Sequence, residues 1–581
     1  MRDYSKLQNG SDIRGIALPG VPGEDVNLDA AAAAKIGAAF ARWLGKKAGS
    51  GADGAGKSNE EIRVAVGRDP RLSGADLAAS LTAGLQSAGA AVLDCGLAST
   101  PAMFMSTQFD DFKCRGAVMI TASHLPFNRN GFKFFTAEGG LNKEDIKEIL
   151  AIASSIGDSL DVLKNADSEG ASVDASQSAL PGNSQDAAGA LSELMEEYCA
   201  HLRGIIIEGL SGSSSAKENQ VSGSAPVAGE STSHASELPL NGLKIVVDAG
   251  NGAGGFYADH VLAPLGAEVT GCFLEPDGNF PNHIPNPENA EAMASICGAV
   301  KEHAADLGII FDTDVDRSAA VDENGKEIAR NGIVALAAAL VSEKHPGTTV
   351  VTDSITSDEL SVFLEESLGM KHLRFKRGYK NVINKSIELN EAGEASYLAI
   401  ETSGHAAIKD NYFLDDGAYL ATLIVIKAAQ LKAEGKGIST MISSLAEPED
   451  ACEVRMKINS DDFGGVGDRI LEDLKAAISV DAGSAMGAAA NSDSGAAANN
   501  SSSDAALGDV FSLVEPNYEG VRANYDDGQV SGWFLLRKSL HDPIMPLNIE
   551  TNQKDGCKVI AAALKDFLSA YSELESDKLD F

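Results

Sequence analysis

Short apolar runs and longer amphipathic stretches alternate along most of the chain. RVAVGRD (63–69), LKIVVDAG (243–250) and TTVVTDS (348–354) read as buried strands that run into polar residues. Each is followed by a helix-like stretch, a glycine and a second β-rich run, as in LQSAGAAVLDCG (85–96), LAPLGAEVTGCF (262–273) and LEESLGMKHLRF (364–375). Units of strand, helix and strand bury their strands under helices and favour parallel pairing. Their recurrence predicts an α/β protein: three related α/β domains with mixed, mainly parallel sheets. From about residue 451 the pattern changes, with VRMKINS (454–460) and WFLLRKS (533–539) set among the helix-like FGGVGDRILEDLKAAI (463–478) and KVIAAALKDFLSAY (558–571). That predicts a smaller C-terminal α+β domain.

Three stretches, roughly 165–190, 211–238 and 481–506, are rich in Ser, Ala, Gly, Asn and Asp and poor in large apolar residues. They cannot bury enough surface to offset chain entropy, so they read as mobile insertions. The expected boundaries are 1–205, a low-complexity linker at 206–240, 241–330, 331–450, and 451–581 interrupted at 481–506. A chain of 581 residues exceeds what one core usually supports, and 44% hydrophobic residues can fill several. Lys and Arg number 47 against 84 Asp and Glu, a net −37 that repels nucleic acid and anionic membrane surfaces. The 7 cysteines are scattered with no CxxC pair, which suits a reducing compartment. With no leader-like or membrane-length apolar run, the expectation is a soluble cytoplasmic protein.

Ligands of open α/β sheets bind beyond the carboxyl ends of strands, which directs attention to four loops. In GAVMITASHLPFNRNGFK a strand leads to Ser123 and His124, and Asn130-Gly131 is expected to turn the chain so that Lys133 points back. A serine is a weak nucleophile unless oriented, deprotonated or already carrying a group to transfer. In LGIIFDTDVDRSAAVD, Asp312, Asp314 and Asp316 alternate, and alternate residues share a face of extended backbone. Three converging carboxylates need a hard cation, and ligands that are all oxygen suggest Mg²⁺. Arg317 beside them offers a phosphate fork. SYLAIETSGH supplies Glu401, Ser403 and His405, which suit sugar hydroxyls. GWFLLRKSLHDP crowds Arg537, Lys538, Ser539 and His541 into a candidate phosphate cradle. Taken singly, each loop has an ordinary polar turn as its plain alternative, most readily the serine loop and least so the metal loop, whose preceding strand is strongly apolar. Cations recur in or beside them, however: Arg14 in SDIRG, Lys133, Arg317, Arg377 and Lys380 in KRGYK, and Arg537. In so acidic a chain this points to a small anionic substrate.

In order and over nearly the whole chain outside the insertions, TASHLPFNRNGFK, DTDVDR, ETSGH and RKSLHDP resemble the phosphoserine, metal, sugar and phosphate loops of the α-D-phosphohexomutase family. SDIRG and DAGNGAGG (248–255) are similar to family segments as well. The resemblance implies four domains around a central cleft and a Mg²⁺-dependent isomerase. Such an enzyme interconverts hexose 1- and 6-phosphates of glucose or mannose through phosphoserine and a hexose 1,6-bisphosphate, which also acts as activator. By position it implies Ser123 as phosphoryl carrier, one Mg²⁺ on Asp312, Asp314, Asp316 and the Ser123 phosphate, and proton transfer by Lys133 and Arg14. His124 and Arg317 would assist at the reacting phosphoryl group and Glu401 and Ser403 would hold the sugar. Arg537, Ser539 and His541 would grip the other phosphate, and His405, Arg377, Tyr379 and Lys380 complete the substrate set. The implied partner is a small phosphorylated sugar, with no nucleic acid or membrane, and the implied state is monomer or homodimer. Thr313 and Val315 replace glycines usual in the metal loop, which predicts a stiffer loop. Leu540, His541 and Asp542 stand where the family has Gly, Thr and Glu. A relative that makes or hydrolyses sugar bisphosphates, or a non-catalytic phosphosugar binder, remains an alternative at this point.

Overall fold

The structure, a computed structural model, describes residues 2–49, 62–157, 191–218, 238–479, 507–539 and 542–581. The stretches 165–190 and 481–506, most of 211–238, and His541 lie outside the described residues. The chain forms two compact units, one from Met1–Pro346 and Ala395–Ser443, the other from Gly347–Glu394 and Ser444–Phe581.

In the first unit, strands β1 (Gln8–Asn9), β2 (Asp12–Ile16), β3 (Arg63–Arg68), β4 (Ala91–Leu97), β5 (Gly116–Ile120), β6 (Arg129–Thr136) and β7 (Gly139–Gly140) make a sheet of order β1-β2-β6-β5-β3-β4, with β7 on β6. β3 lies parallel to both β4 and β5, and β6 runs antiparallel to β5 and β2. β5 is buried throughout, as its unbroken apolar run requires of a strand covered on both faces. Helices α1 (Ala30–Gly49), α2 (Gly74–Ser87) and α3 (Thr100–Met105) lie between these strands in the chain, and α4 (Lys143–Ser155) follows them. Ile36 and Phe40 of α1, Leu81 of α2 and Ile146 of α4 share one core with Val64, Val118 and Phe134.

Helix α5 (Glu193–Glu218) corrects one expectation, because it carries helix through 206–218, inside the stretch read as linker. Met195, Tyr198, Cys199, Leu202 and Ile206 are buried at helical spacing, and that face outweighs the Gly- and Ser-rich tail from which the linker was inferred. The next sheet has order β12-β11-β10-β8-β9, built from β8 (Lys244–Asp248), β9 (Glu268–Cys272), β10 (Leu307–Phe311), β11 (Ser318–Val321) and β12 (Glu327–Ile328). Its β8 is parallel to β9 and β10. Ile296 and Val300 of α6 (Ala290–His303) pack on Val246 and Ile310. Helix α7 (Asn331–Lys344) comes next in the chain.

Strands β13 (Thr349–Thr352) and β14 (Lys371–Arg374) are parallel and belong to the second unit, with α8 (Asp358–Val362) and α9 (Tyr379–Glu391). The chain then returns to the first unit with β15 (Ser396–Ile400), β16 (Ala406–Ile408) and β17 (Leu414–Asp415), paired antiparallel, and α10 (Gly417–Ala433). The rest of the second unit is an antiparallel sheet of order β18-β22-β21-β20-β19, from β18 (Asp450–Lys457), β19 (Phe511–Leu513), β20 (Val521–Asp526), β21 (Ser531–Leu536) and β22 (Ile544–Thr551). α11 (Phe463–Ser479) and α12 (Gly556–Leu568) cover it, packing Ile470, Leu474, Ile560 and Leu564 against Phe534 and Leu547. This is the α+β character that the sequence pattern predicts. Among the described residues, no helix is long and apolar enough to cross a membrane.

Candidate active site

β5 ends at Ile120, and three residues later the buried Ser123 takes the left-handed conformation, φ +50°. Its N–H donates to Thr121 Oγ1 at 2.9 Å. Its Oγ lies 3.0 Å from Asp312 Oδ2 and accepts from Arg317 Nη2 at 2.9 Å. The same Nη2 donates to His124 Nδ1 at 2.8 Å, so that nitrogen is an acceptor and the imidazole neutral. Packing around the ring, then the charges of Arg317 and Arg14, hold the His124 pKa down. Arg14, on β2, pairs with Asp12 at 3.1 Å.

Asn130-Gly131 is not the turn. Both lie within β6, and the chain reverses earlier, where Arg129 N–H donates to Pro126 O at 3.0 Å. Glycine is required at 131 because a Cβ there would sit 2.2 Å from Ile13 O of the neighbouring strand. Lys133 does come back to the site, through strand register instead of a turn: its Nζ is 2.7 Å from Asp314 Oδ2 and 2.5 Å from Asp316 Oδ2.

The three aspartates converge, though not by alternation in extended backbone. Residues 312–316 form a turn closed by Val315 N–H on Asp312 O, with Val315 at φ +67°. A β-branched residue rarely adopts that conformation, so the position usually held by glycine keeps the glycine shape at a cost in strain. Candidate ligand atoms of Asp312, Asp314 and Asp316 lie within 4.8 Å of one another, and all three residues are buried. Burial, then the charge of Asp316, pushes the Asp312 carboxyl well above the usual range. Burial pushes Asp316 up too, but Lys133 and His405 outweigh it and hold Asp316 well below. Asp314 Oδ1 and Thr313 Oγ1 are buried with no hydrogen-bond partner among the described residues. Three carboxylates thus face two cations, Lys133 and Arg317, and keep an oxygen unengaged, which fits a divalent metal of the Mg²⁺ type.

In the sugar loop, Glu401 and Ser403 are buried and follow β15 directly. Ser403 Oγ meets His405 Nδ1 at 3.0 Å, and His405 Nε2 faces Asp316 Oδ1 at 3.6 Å. Glu401, Ser403 and His405 therefore join Ser123, Lys133 and the metal loop in one cluster of the first unit.

The other candidates belong to the second unit. Arg537 follows β21 and is buried, and its Nε has no hydrogen-bond partner among the described residues. Burial, then the charge of Arg377, lowers its pKa. Arg377 faces Asp353 at 3.6 Å, and its N–H donates to Glu519. Tyr379 and Lys380 open α9. Ser539 Oγ accepts from Asp542 N–H at 3.2 Å, which shapes the loop. Lys538 leaves the group and pairs with Asp468 at 2.5 Å.

Sequence reasoning misses three contributors. Thr100 Oγ1 donates to Asp314 Oδ2 at 2.5 Å while its N–H donates to Asp314 O at 2.8 Å. Asn286 Oδ1 accepts from Arg317 Nη1 at 3.1 Å. Arg71, in GRDPRLSG, lies under the serine loop. The available signal was position, since Arg71 follows strand β3 and Thr100 follows β4, both at carboxyl ends.

A hydroxyl between a guanidinium and an acidic triad, beyond the ends of parallel strands, defines the class: an enzyme that moves phosphoryl groups. Residues 5–159, 228–325 and 329–448 match the family descriptions phosphoglucomutase/phosphomannomutase, alpha/beta/alpha domains I, II and III. The chain belongs to the α-D-phosphohexomutase family, whose members are isomerases acting by intramolecular phosphoryl transfer. A phosphomannomutase/phosphoglucomutase of Pseudomonas putida is 31% identical over 66% of this chain and 69% of its own length. The similarly described protein of Pseudomonas aeruginosa is 27% identical over 91% of each. The fold is similar to that of a crystal structure of a phosphoglucomutase/phosphomannomutase family protein from Burkholderia thailandensis, with TM-score 0.64, 24% identity, and 97% and 96% of the two chains covered.

Proposed function

We propose that this phosphohexomutase interconverts hexose 1-phosphate and hexose 6-phosphate, of glucose or mannose, through a phosphorylated Ser123 and a hexose 1,6-bisphosphate. The observation that carries the reading is the position of Ser123 Oγ, 3.0 Å from Asp312 and 2.9 Å from Arg317. A Mg²⁺ held by Asp312, Asp314, Asp316 and a Ser123 phosphate oxygen would supply Lewis-acid neutralisation of the transferring group. Arg317, braced by Asp312 and Asn286, presents a fixed guanidinium to charge that develops on the phosphoryl oxygens. His124, neutral at Nδ1, assists beside it. As the Ser123 O–P bond breaks and a sugar oxygen takes the phosphoryl group, the hydroxyl proton ends on Ser123 Oγ; Lys133 relays it, giving up one proton as it takes another, with Arg14 sharing the proton transfer. Glu401 and Ser403 bind sugar hydroxyls, with His405 orienting Ser403. Arg377, Tyr379, Lys380, Arg537, Ser539 and His541 are assigned to the phosphate that is not reacting. The bisphosphate then returns its other phosphate to Ser123, and added bisphosphate restores the enzyme when that group is lost.

The test is phosphate capture with turnover. After exposure to glucose 1,6-bisphosphate, intact mass should rise by one phosphate located at Ser123, and glucose or mannose 1-phosphate should yield the 6-phosphate. Ser123→Ala should lose both by on the order of 10⁵-fold. Turnover retained by Ser123→Ala, or phosphate found on another residue, rejects the assignment.

A further inference from the structure

The backbone of the serine loop makes few hydrogen bonds to itself, yet it holds Ser123 in a conformation that a serine seldom adopts. One buried side chain gathers its carbonyls. Arg71 Nη2 donates to Ser123 O and, at 2.6 Å, to Leu125 O. Its Nη1 donates to Pro126 O at 2.9 Å and Arg129 O at 3.2 Å. Four carbonyl oxygens between 123 and 129 thus converge on one planar guanidinium, which alone among side chains offers five donors in a fixed fork.

Arg71 is itself fixed. It is fully buried, and its Nε faces Asp69 Oδ2 at 3.4 Å while its N–H donates to Asp69 Oδ1 at 2.9 Å. Asp69 N–H in turn bonds Ile120 O at 3.1 Å, where β5 ends. From the other side Phe280 covers the guanidinium at 5.5 Å. Gly278 admits that contact, since a Cβ there would lie 2.3 Å from Pro70 O. The segment carrying Gly278 and Phe280 continues to Asn286, which accepts from Arg317.

We propose that Arg71 is a positioning residue for the phosphoryl carrier: by drawing these four carbonyls together it fixes Ser123 Oγ opposite Asp312 and Arg317. The inference rests on the assignment of Ser123 above. It requires the fork geometry as well as the charge, so lysine is not an adequate substitute.

The experiment compares wild type, Arg71→Ala, Arg71→Lys and Ser123→Ala as full chains. Arg71→Ala should lose about 100-fold in kcat, the scale of a reacting atom misplaced by 1 Å, with KM changed less than threefold. Guanidinium ion at a non-denaturing concentration should restore at least tenfold in Arg71→Ala and nothing in Ser123→Ala. Amide hydrogen exchange over 123–129 should accelerate in Arg71→Lys and not elsewhere. Turnover within threefold of wild type in Arg71→Lys, or unchanged exchange in the loop, overturns the proposal. If Arg71→Ala does not fold, Arg71→Lys decides by the same two readings. If instead Ser123→Ala retains turnover, the functional reading fails, and loop exchange in Arg71→Lys still tests the bracing separately.

Discussion

Ser123, Asp312 and Arg317 occupy one another's hydrogen-bonding groups within 3.1 Å, whereas Arg537 Nε, also buried, has no hydrogen-bond partner among the described residues. The first arrangement belongs to the unit that holds the serine and metal loops, the second to the unit that holds the basic loop. Reacting atoms gain from neighbours that fix them before the reaction, because reorganisation then costs nothing at the barrier. A binding group, as proposed for Arg537, gains from the opposite: a buried donor kept unengaged, near the like charge of Arg377, is available to an arriving anion. Under the proposed function the two regions divide the work between geometry that is already complete and affinity that is held in reserve.

Substitutions can break or sharpen that division. Asp314→Asn should have the largest effect, lowering Mg²⁺-dependent turnover on the order of 10³-fold in a coupled assay while KM for the sugar phosphate moves little. Arg537→Ala should do the reverse, raising KM about 10- to 100-fold, as loss of a charged hydrogen bond implies, with kcat changed less than threefold. Comparable losses in kcat from both would erase the contrast. Thr100→Val should raise the Mg²⁺ concentration for half-maximal rate about tenfold, since it frees a carboxylate that the hydroxyl now orients. A Mn²⁺ titration followed by electron paramagnetic resonance should show the same weakening without turnover.

The smallest effect concerns stability. Burial, then the charge of Glu359, pushes the Glu550 pKa up to about 7. The folded chain keeps a proton that the unfolded chain has released, so this group stabilises most at low pH and its contribution falls as pH rises from about 4.5 through about 7. Glu550→Gln should melt about 3 °C above wild type at pH 8 and level with it at pH 5.

Sequence reading anticipates the clustered loops where a mainly apolar strand runs straight into polar residues, as β5 does before Ser123, β10 before Asp312 and β15 before Glu401. It fails where the contact spans a long separation, because nothing local marks Thr100 as a partner of Asp314, 214 positions on. Arg71 is hidden for another reason: its partners are main-chain carbonyls, which every residue carries. Asn130-Gly131 misleads because glycine serves close packing there as well as turning. The convergence of the aspartates is legible, but its cause is a tight turn through Val315 and not the pleat.

The position of Lys133 on β6 has one more consequence. That strand is paired on both sides, Lys133 opposite Met119 and Phe132 opposite Ile13, so successive residues alternate between the two faces of the sheet. Deleting one residue between Arg129 and Lys133 would aim the ammonium at the opposite layer, whereas removing two would preserve its facing. Parity, more than length, is what descent can alter least in this stretch.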